Sequence, residues 1–135
     1  MTALYLESSA ALELALGQAR AADVEAALAT ADLLVTSQLT VLEVARILGR
    51  VPAPAGPRAR TAWAALRPRL GLVPVEVSLE EPLAQAFPRE PVRTLDAIHL
   101  ATAQRLRPEG EPFLLAALDV RVRENAAAWG FAVVP

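Results

Sequence analysis

Short apolar segments alternate along the chain with longer segments in which apolar residues recur at helical spacing. The short segments predict strands over residues 3–6, 33–36, 72–78, 113–118 and 131–134. The intervening patterns predict helices over residues 8–18, 23–30, 38–48, 58–70, 79–87, 95–106 and 120–129. Strands that alternate with helices are typical of a parallel sheet covered on both faces. We therefore expect a single α/β domain over residues 1–135, with a central parallel sheet flanked by helices.

Hydroxyl residues and prolines indicate where several of these elements begin and end. Ser8 or Ser9 is expected to cap the first helix, and Ser37 is expected to cap the third. A proline-rich segment separates the third and fourth helices. In segment 72–78 valines alternate with other residues, as in a half-buried strand, and Pro74 predicts an edge or irregular position for it.

Composition narrows the chemistry that the chain can perform. Hydrophobic residues make up 54% of the 135, which is enough for a sizeable core, and the net charge of -2 excludes a uniformly basic nucleic-acid-binding module. With no cysteine and one histidine, His99, thiolate zinc sites, disulfides, cysteine nucleophiles and multi-histidine metal sites are excluded. No secretory signal and no apolar run long enough to span a bilayer are found, so we expect a soluble, cytoplasmic protein.

Four acidic residues occupy positions that a parallel sheet uses for chemistry. Glu7 and Asp119 directly follow predicted strands, and parallel sheets bind ligands at the carboxyl ends of their strands. Glu43 and Asp96 lie in helices whose apolar pattern predicts burial. Because converging carboxylates repel one another, a cluster of four implies a bound cation, and oxygen ligands favour Mg²⁺ or Mn²⁺ over zinc. Such ions promote attack of water on a phosphodiester, so we expect phosphodiester hydrolysis.

Each acid also has a structural interpretation. Taken alone, Asp96 can interact favourably with the dipole of its helix, and Asp119 can cap the helix that follows it. Glu13 and Glu76 also have apolar neighbours, but their patterns place them on solvent-facing surfaces.

All 13 basic residues are arginines, and six of them lie between Val44 and Val75, where there is no acidic residue. We expect these arginines to bind nucleic-acid phosphates, since a carboxylate site alone would repel a polyanion. The alternative is that they cover helices with their apolar stems. Trp63 could stack on a base, but its apolar stripe favours packing in the core. The arginines expected to contact RNA first are Arg46, Arg50, Arg58 and Arg60.

Four blocks of residues together match a known family. They are residues 4–10 (LYLESSA), Ser37 with Glu43 and Arg50, residues 94–101 (TLDAIHLA), and residues 118–119 followed by Ala127 and Gly130. In this order the chain resembles the PIN-domain ribonucleases and, more narrowly, the VapC toxins of bacterial toxin–antitoxin pairs. The similarity covers almost the whole chain, and the block LDAIHLA is its most specific part.

The resemblance implies a Mg²⁺- or Mn²⁺-dependent endoribonuclease, commonly a homodimer, whose cognate antitoxin covers the acidic site. By position, Ser9 is the small hydroxyl residue beside the acids, and His99 is expected to have a structural hydrogen-bonding role. The chain departs from the family pattern twice: the first acid is glutamate instead of aspartate, and Ala117 replaces a hydroxyl residue. The residues implied to be catalytic and metal-binding are Glu7, Glu43, Asp96 and Asp119.

Two other functions stay open at this point. A catalytically weakened PIN domain would bind RNA or an antitoxin without cleaving RNA, and the glutamate at position 7 favours this alternative. A phosphatase or another phosphoryl-transfer enzyme is less favoured, because the chain has neither a Walker-type glycine-rich loop nor an Asp-x-Asp pair.

Overall fold

The computed structural model describes all residues from Met1 to Pro135. Its strands are β1 (Ala3–Leu6), β2 (Leu33–Ser37), β3 (Gly71–Val73), β4 (Phe113–Ala116) and β5 (Ala132–Val134). Its helices are α1 (Ser8–Leu16), α2 (Ala21–Ala29), α3 (Gln38–Leu48), α4 (Ala55–Leu66), α5 (Glu80–Leu83), α6 (Thr94–Leu106) and α7 (Val120–Ala128). All strand pairs are parallel and the order across the sheet is β3-β2-β1-β4-β5. The predicted α/β fold is confirmed.

Strand β1 lies at the centre of the sheet because it is apolar on both faces. Leu4 and Leu6 pack on one face, in a core built mainly by α1 to α4, and Tyr5 packs on the other face with residues of α6 and α7. All three side chains are completely buried. A parallel strand covered on both faces requires such a run of apolar residues. Trp63 of α4 belongs to the first core, as its apolar stripe predicts.

The third strand is shorter than predicted. It ends at Val73, because Pro74 has no N–H group to continue the ladder, and residues Val77–Leu79 form a 3₁₀ turn. The Val77 side chain is 85% exposed, so the valine alternation that predicted a strand to residue 78 is wrong beyond Val73. The predicted edge position is confirmed. Both edge strands, β3 and β5, contain three residues and each is followed directly by a proline, Pro74 or Pro135.

Helix boundaries follow local polar chemistry. Ser37 caps α3 as predicted, since its hydroxyl accepts the Leu39 N–H at 3.0 Å. The prediction that Ser8 or Ser9 caps α1 is wrong: the N-cap is Glu7, whose carboxylate accepts the Ser9 N–H. Helix α4 begins within the proline-rich segment, at residue 55 instead of 58, because a proline in the first turn needs no N–H donor. No helix has the length and apolar character needed to cross a bilayer.

Candidate active site

The carboxyl ends of β1 and β4 meet at one corner of the sheet and bring Glu7 close to the loop that carries Asp119. The Glu7 N–H donates to the carbonyl of Ala116, the last residue of β4, at 2.9 Å. The Ser9 hydroxyl accepts the N–H groups of Leu118 and Asp119 at 2.9 and 3.1 Å, and it donates to Glu7 Oε2. Ser9 therefore connects the backbone at Asp119 to the side chain of Glu7.

Glu7 is 2% exposed, and its carboxylate accepts three hydrogen bonds from Ser8 and Ser9. Oε1 accepts the Ser8 hydroxyl at 2.9 Å, whereas Oε2 accepts both the N–H, at 2.9 Å, and the hydroxyl of Ser9. The extra methylene of glutamate, relative to aspartate, thus lets the side chain fold back over the start of α1. Both of its oxygens are already occupied by donors.

Asp96 and Asp119 line the same cavity, of about 290 Å³, whose other walls are Pro91, Arg93 and Arg121. Asp119 Oδ1 accepts the Val122 N–H at 3.0 Å, so this residue caps α7 and keeps Oδ2 free. Asp96 lies in the first turn of α6 and its carboxylate accepts no hydrogen bond. Of these two acids, Asp96 therefore offers the larger number of free oxygens.

Glu43 comes from α3 and contacts the only histidine. Its Oε1 lies 2.6 Å from His99 Nε2, and His99 Nδ1 lies 2.8 Å from the Tyr5 hydroxyl. His99 is 1% exposed, whereas the Glu43 side chain is 21% exposed. His99 makes the structural hydrogen bonds that the sequence predicts, but its contact with one of the four acids was not foreseen.

The charges of the four acids act on one another. Burial raises the pKa of Asp96 above its ordinary value, the charges of Asp119, Glu7 and Glu43 raise it further, and His99 opposes the shift. The other three acids thus lie near enough for their charges to act on Asp96, and a shared metal site for all four stays a prediction. No three acidic or histidine side chains lie close enough together to bind one metal ion directly. Carboxylate oxygens around an open cavity still fit Mg²⁺, which binds proteins through one or two carboxylates and keeps several water molecules.

Two arginines that sequence reasoning missed, Arg93 and Arg121, line the cavity with Asp96 and Asp119. Arg93 has no ion-pair partner within the chain and its side chain makes no hydrogen bond, whereas Arg121 donates to the carbonyls of Arg89 and Glu90 at 3.2 and 3.3 Å. The signal was present as spacing: Arg93 precedes Asp96 by three residues and Arg121 follows Asp119 by two. This spacing was overlooked because the arginine run of residues 46–69 contains more arginines.

The arginine run of residues 46–69 has mixed surroundings. Arg60 donates to the Leu48 carbonyl at 2.8 Å, at the end of α3, and Arg69 pairs with Glu25 at 3.3 Å. Arg67 and Arg69 immediately precede β3, so they lie at the amino edge of the sheet, opposite the acids. These two arginines therefore lie apart from the acidic corner, and phosphate binding by them stays a prediction. Phosphate binding by Arg46, Arg50, Arg58 and Arg60 stays a prediction.

The two acids outside the proposed site also have defined surroundings. Glu76 is exposed as predicted, and its carboxylate lies 3.8 Å from Arg105. Glu13 is half-buried, and its Oε2 accepts the Arg20 N–H at 2.9 Å. Neither contributes to the acidic corner.

The parallel sheet with its acidic corner is that of a PIN domain, and residues 4–126 match the model of this family. The chain belongs to the PIN-domain family. It is 37% identical over 135 residues to ribonuclease VapC46 of Mycobacterium tuberculosis, covering 99% of this chain and 98% of the relative. It is also 34% identical over 100 residues to ribonuclease VapC35 of the same species, covering 74% and 70% of the two chains. The family resemblance is thus confirmed.

Solved structures agree with this assignment. The crystal structure of VapC20 from M. tuberculosis, a Sarcin-Ricin loop cleaving toxin, superposes with a TM-score of 0.70 at 25% identity, over 98% of this chain and 99% of that one. DNA-bound VapBC from Salmonella typhimurium superposes with a TM-score of 0.62 at 12% identity, over 98% and 97% of the two chains. The second likeness concerns the fold alone.

The raised pKa of Asp96 predicts a pH-dependent stability of the metal-free protein. The folded-state pKa lies above the unfolded one, so the folded protein binds this proton more tightly. The free energy of unfolding therefore falls as the pH rises from the unfolded to the folded pKa. Asp96→Asn should raise the melting temperature in EDTA at neutral pH, and this difference should vanish below about pH 4, where the wild-type carboxyl is also neutral.

The matched control is Glu109→Gln, which changes an exposed acid away from the corner and should leave the pH profile of the melting temperature unchanged. An Asp96→Asn protein that melts no higher than wild type at neutral pH would contradict the convergence of the four acids.

Proposed function

We propose that this chain is a divalent-metal-dependent endoribonuclease and the toxin of a toxin–antitoxin pair. The observation that carries the proposal is the acidic corner, where Asp96 and Asp119 line one cavity, and where burial and the charges of Asp119, Glu7 and Glu43 raise the pKa of Asp96. VapC46, which the chain matches over its full length, and VapC35, which it matches in part, are both named as ribonucleases, and this supports the activity. The structure of the VapC20 toxin supports the toxin role.

The donor set indicates which residues hold the metal. Asp96, with both oxygens free, and Asp119, with Oδ2 free, would hold the ion directly, and Glu43 would reach it through a water molecule with the oxygen that does not face His99. Mg²⁺ or Mn²⁺ bound there supplies an activated water and neutralises charge that develops on the phosphodiester. Glu7 belongs to the same acidic set but acts through the hydrogen bonds that hold Ser9 and the corner in place.

Arg93 and Arg121 would hold the RNA beside these acids. Both line the cavity, and Arg93 has a guanidinium free to form a bidentate contact with a phosphate. Such cations offset the repulsion between the acidic site and the RNA backbone. Arg121 is anchored by two carbonyl groups, so its position is set by the loop of Arg89 and Glu90.

The proposed protein partners are a cognate antitoxin and a second copy of the chain, in the cytoplasm. Large apolar side chains are exposed next to the acids: Leu95 is 47% and Val120 is 67% exposed. On α3, Leu42 is 67% and Ile47 is 42% exposed. Exposed apolar residues of this size near a functional site favour coverage by another protein.

The proposed activity predicts metal-dependent RNA cleavage that requires Asp96. Purified protein should generate new RNA ends with Mn²⁺ or Mg²⁺ and none with EDTA, and Asp96→Asn should reduce the rate by more than about 100-fold, the upper range for losing an outer-shell partner. Mapping of ends after incubation with total RNA measures both. Glu109→Gln should cleave at the wild-type rate, and an equally active Asp96→Asn protein would contradict the metal-ligand assignment.

The placement of Arg93 predicts a local effect on RNA binding. Arg93→Gln should weaken RNA binding and reduce the salt dependence, the slope of log K against log salt, by about 0.7, the contribution of one phosphate contact on a single strand. Arg46→Gln makes the same change of charge away from the cavity and should have a smaller effect. Filter binding across a salt series measures both slopes, and the reverse ranking would instead place the RNA on the arginine run.

One observation favours a second function, a PIN domain that binds RNA or its antitoxin without cleaving. Both oxygens of Glu7 are occupied by donors of its own corner, unlike those of Asp96. This alternative predicts that the wild-type protein is inert with every divalent ion and that Glu7→Asp creates activity. Under the first proposal, Glu7→Asp retains or increases cleavage, especially with Mn²⁺, so the same end-mapping assay decides between the two functions.

A further inference from the structure

A buried chain of hydrogen bonds crosses the sheet edge and ends on one of the four acids. Tyr5 of β1 and His99 of α6 lie on one face of the sheet, whereas Glu43 projects from α3 on the other face. The Tyr5 hydroxyl contacts His99 Nδ1 at 2.8 Å, and His99 Nε2 contacts Glu43 Oε1 at 2.6 Å. Tyr5 and His99 are 0% and 1% exposed, so water does not compete for these contacts.

The Tyr5 hydroxyl determines where the imidazole proton lies. A tyrosine hydroxyl carries its proton at neutral pH, so it can donate a hydrogen bond to Nδ1, which lies 2.8 Å away. A neutral imidazole has one donor nitrogen and one acceptor nitrogen. If the hydroxyl donates to Nδ1, the imidazole proton is on Nε2, the nitrogen that faces Glu43.

The Glu43 side chain needs such a donor to stay in the corner. It is 21% exposed, and it lies near enough to Asp96 for the two negative charges to oppose each other. Without a donor, the side chain can turn toward solvent and lower the repulsion. A hydrogen bond of 2.6 Å to a buried ring opposes that movement and leaves Oε2 without a protein partner.

We propose that His99 is a positioning residue that holds the Glu43 carboxylate in the acidic corner, with Tyr5 selecting the Nε2–H tautomer required for the contact. The consequence for metal affinity rests on the proposed function. The tautomer itself does not, because it is measured on the metal-free protein without RNA.

The presence of a single histidine makes the tautomer directly measurable. In protein labelled with ¹⁵N at the histidine ring, long-range ¹H–¹⁵N spectra contain the signals of one imidazole, that of His99. We expect a protonated Nε2 and an unprotonated Nδ1 in EDTA at neutral pH. The opposite tautomer would overturn the positioning of Glu43 by His99, and an imidazolium with both nitrogens protonated would overturn the tautomer selection by Tyr5.

Tyr5→Phe removes only the hydroxyl and keeps the aromatic ring in the core. Since Nδ1 then has no donor, the Nε2–H tautomer should lose population, and the affinity for Mn²⁺ measured by calorimetry should fall about tenfold, the lower range for such a partner. An unchanged tautomer ratio in a folded Tyr5→Phe protein would overturn the role of Tyr5.

Two substitutions of His99 separate positioning from packing. Gln can present its amide N–H near the position of Nε2, whereas Leu fills the space without a donor. Both should lower the melting temperature, but His99→Gln should keep most of the Mn²⁺ affinity and His99→Leu should lose it. Equal Mn²⁺ affinities for the two variants would show that His99 acts only in packing and would overturn its positioning role.

Thr102→Val is the matched control. Thr102 is buried one turn further along α6 and its hydroxyl bonds only to the Ile98 carbonyl at 2.7 Å, so its loss should change stability but not Mn²⁺ affinity. If wild-type protein binds no Mn²⁺ at all, the proposed function fails, and the nitrogen spectra of wild type and Tyr5→Phe still decide the positioning role.

Discussion

The mutual repulsion of four carboxylates at one corner of the sheet is the constraint on which the site depends. Three of them are held by donors: Glu7 by Ser8 and Ser9, Asp119 by the start of α7, and Glu43 by His99. Asp96 has no donor of its own, and it is the acid whose pKa is raised by burial and by the other three charges. The unfavourable electrostatic energy is therefore concentrated on the side chain with the most free oxygens, where a cation relieves it most.

The fold supplies these donors because of its topology. Neighbouring parallel strands end at the same edge, and β1 and β4 are each followed by a helix whose first N–H groups point back toward that edge. The first turns of α1 and α7 therefore satisfy Glu7 and Asp119 with backbone N–H groups. Glu43 lies deep within α3, where no free backbone donor exists, and a histidine from the opposite layer takes that role.

Local patterns predicted the parts of the structure that depend on neighbours in sequence. The strand at residues 3–6 and the Ser37 cap are of this kind, and so is the position of Glu7 directly after β1. The valines beyond Pro74 show where such local patterns fail. Their alternation is also compatible with an exposed, irregular segment when no partner strand is available. The cap of α1 was misassigned because the glutamate side chain folds back onto the Ser9 N–H, a capping role that serine or aspartate more often fills.

The parts that were not predicted depend on tertiary contacts. The Glu43–His99 pair joins residues 56 positions apart, and no periodicity in the sequence encodes that pairing. Arg93 was overlooked because arginines were weighed by their local density, whereas their value at the site depends on distance from the acids after folding. The sequence thus indicated which acids lie near Asp96, but not how each of them would be held.

The short edge strands bear on how copies of the chain can meet. A sheet edge with free N–H and C=O groups invites another strand to pair with it, but β3 and β5 each offer only three residues before a proline removes the next donor. Lateral growth of the sheet from chain to chain is therefore disfavoured at both borders. An interface on the helical surfaces avoids this restriction, because helices leave no open ladder of N–H and C=O groups for another chain to extend.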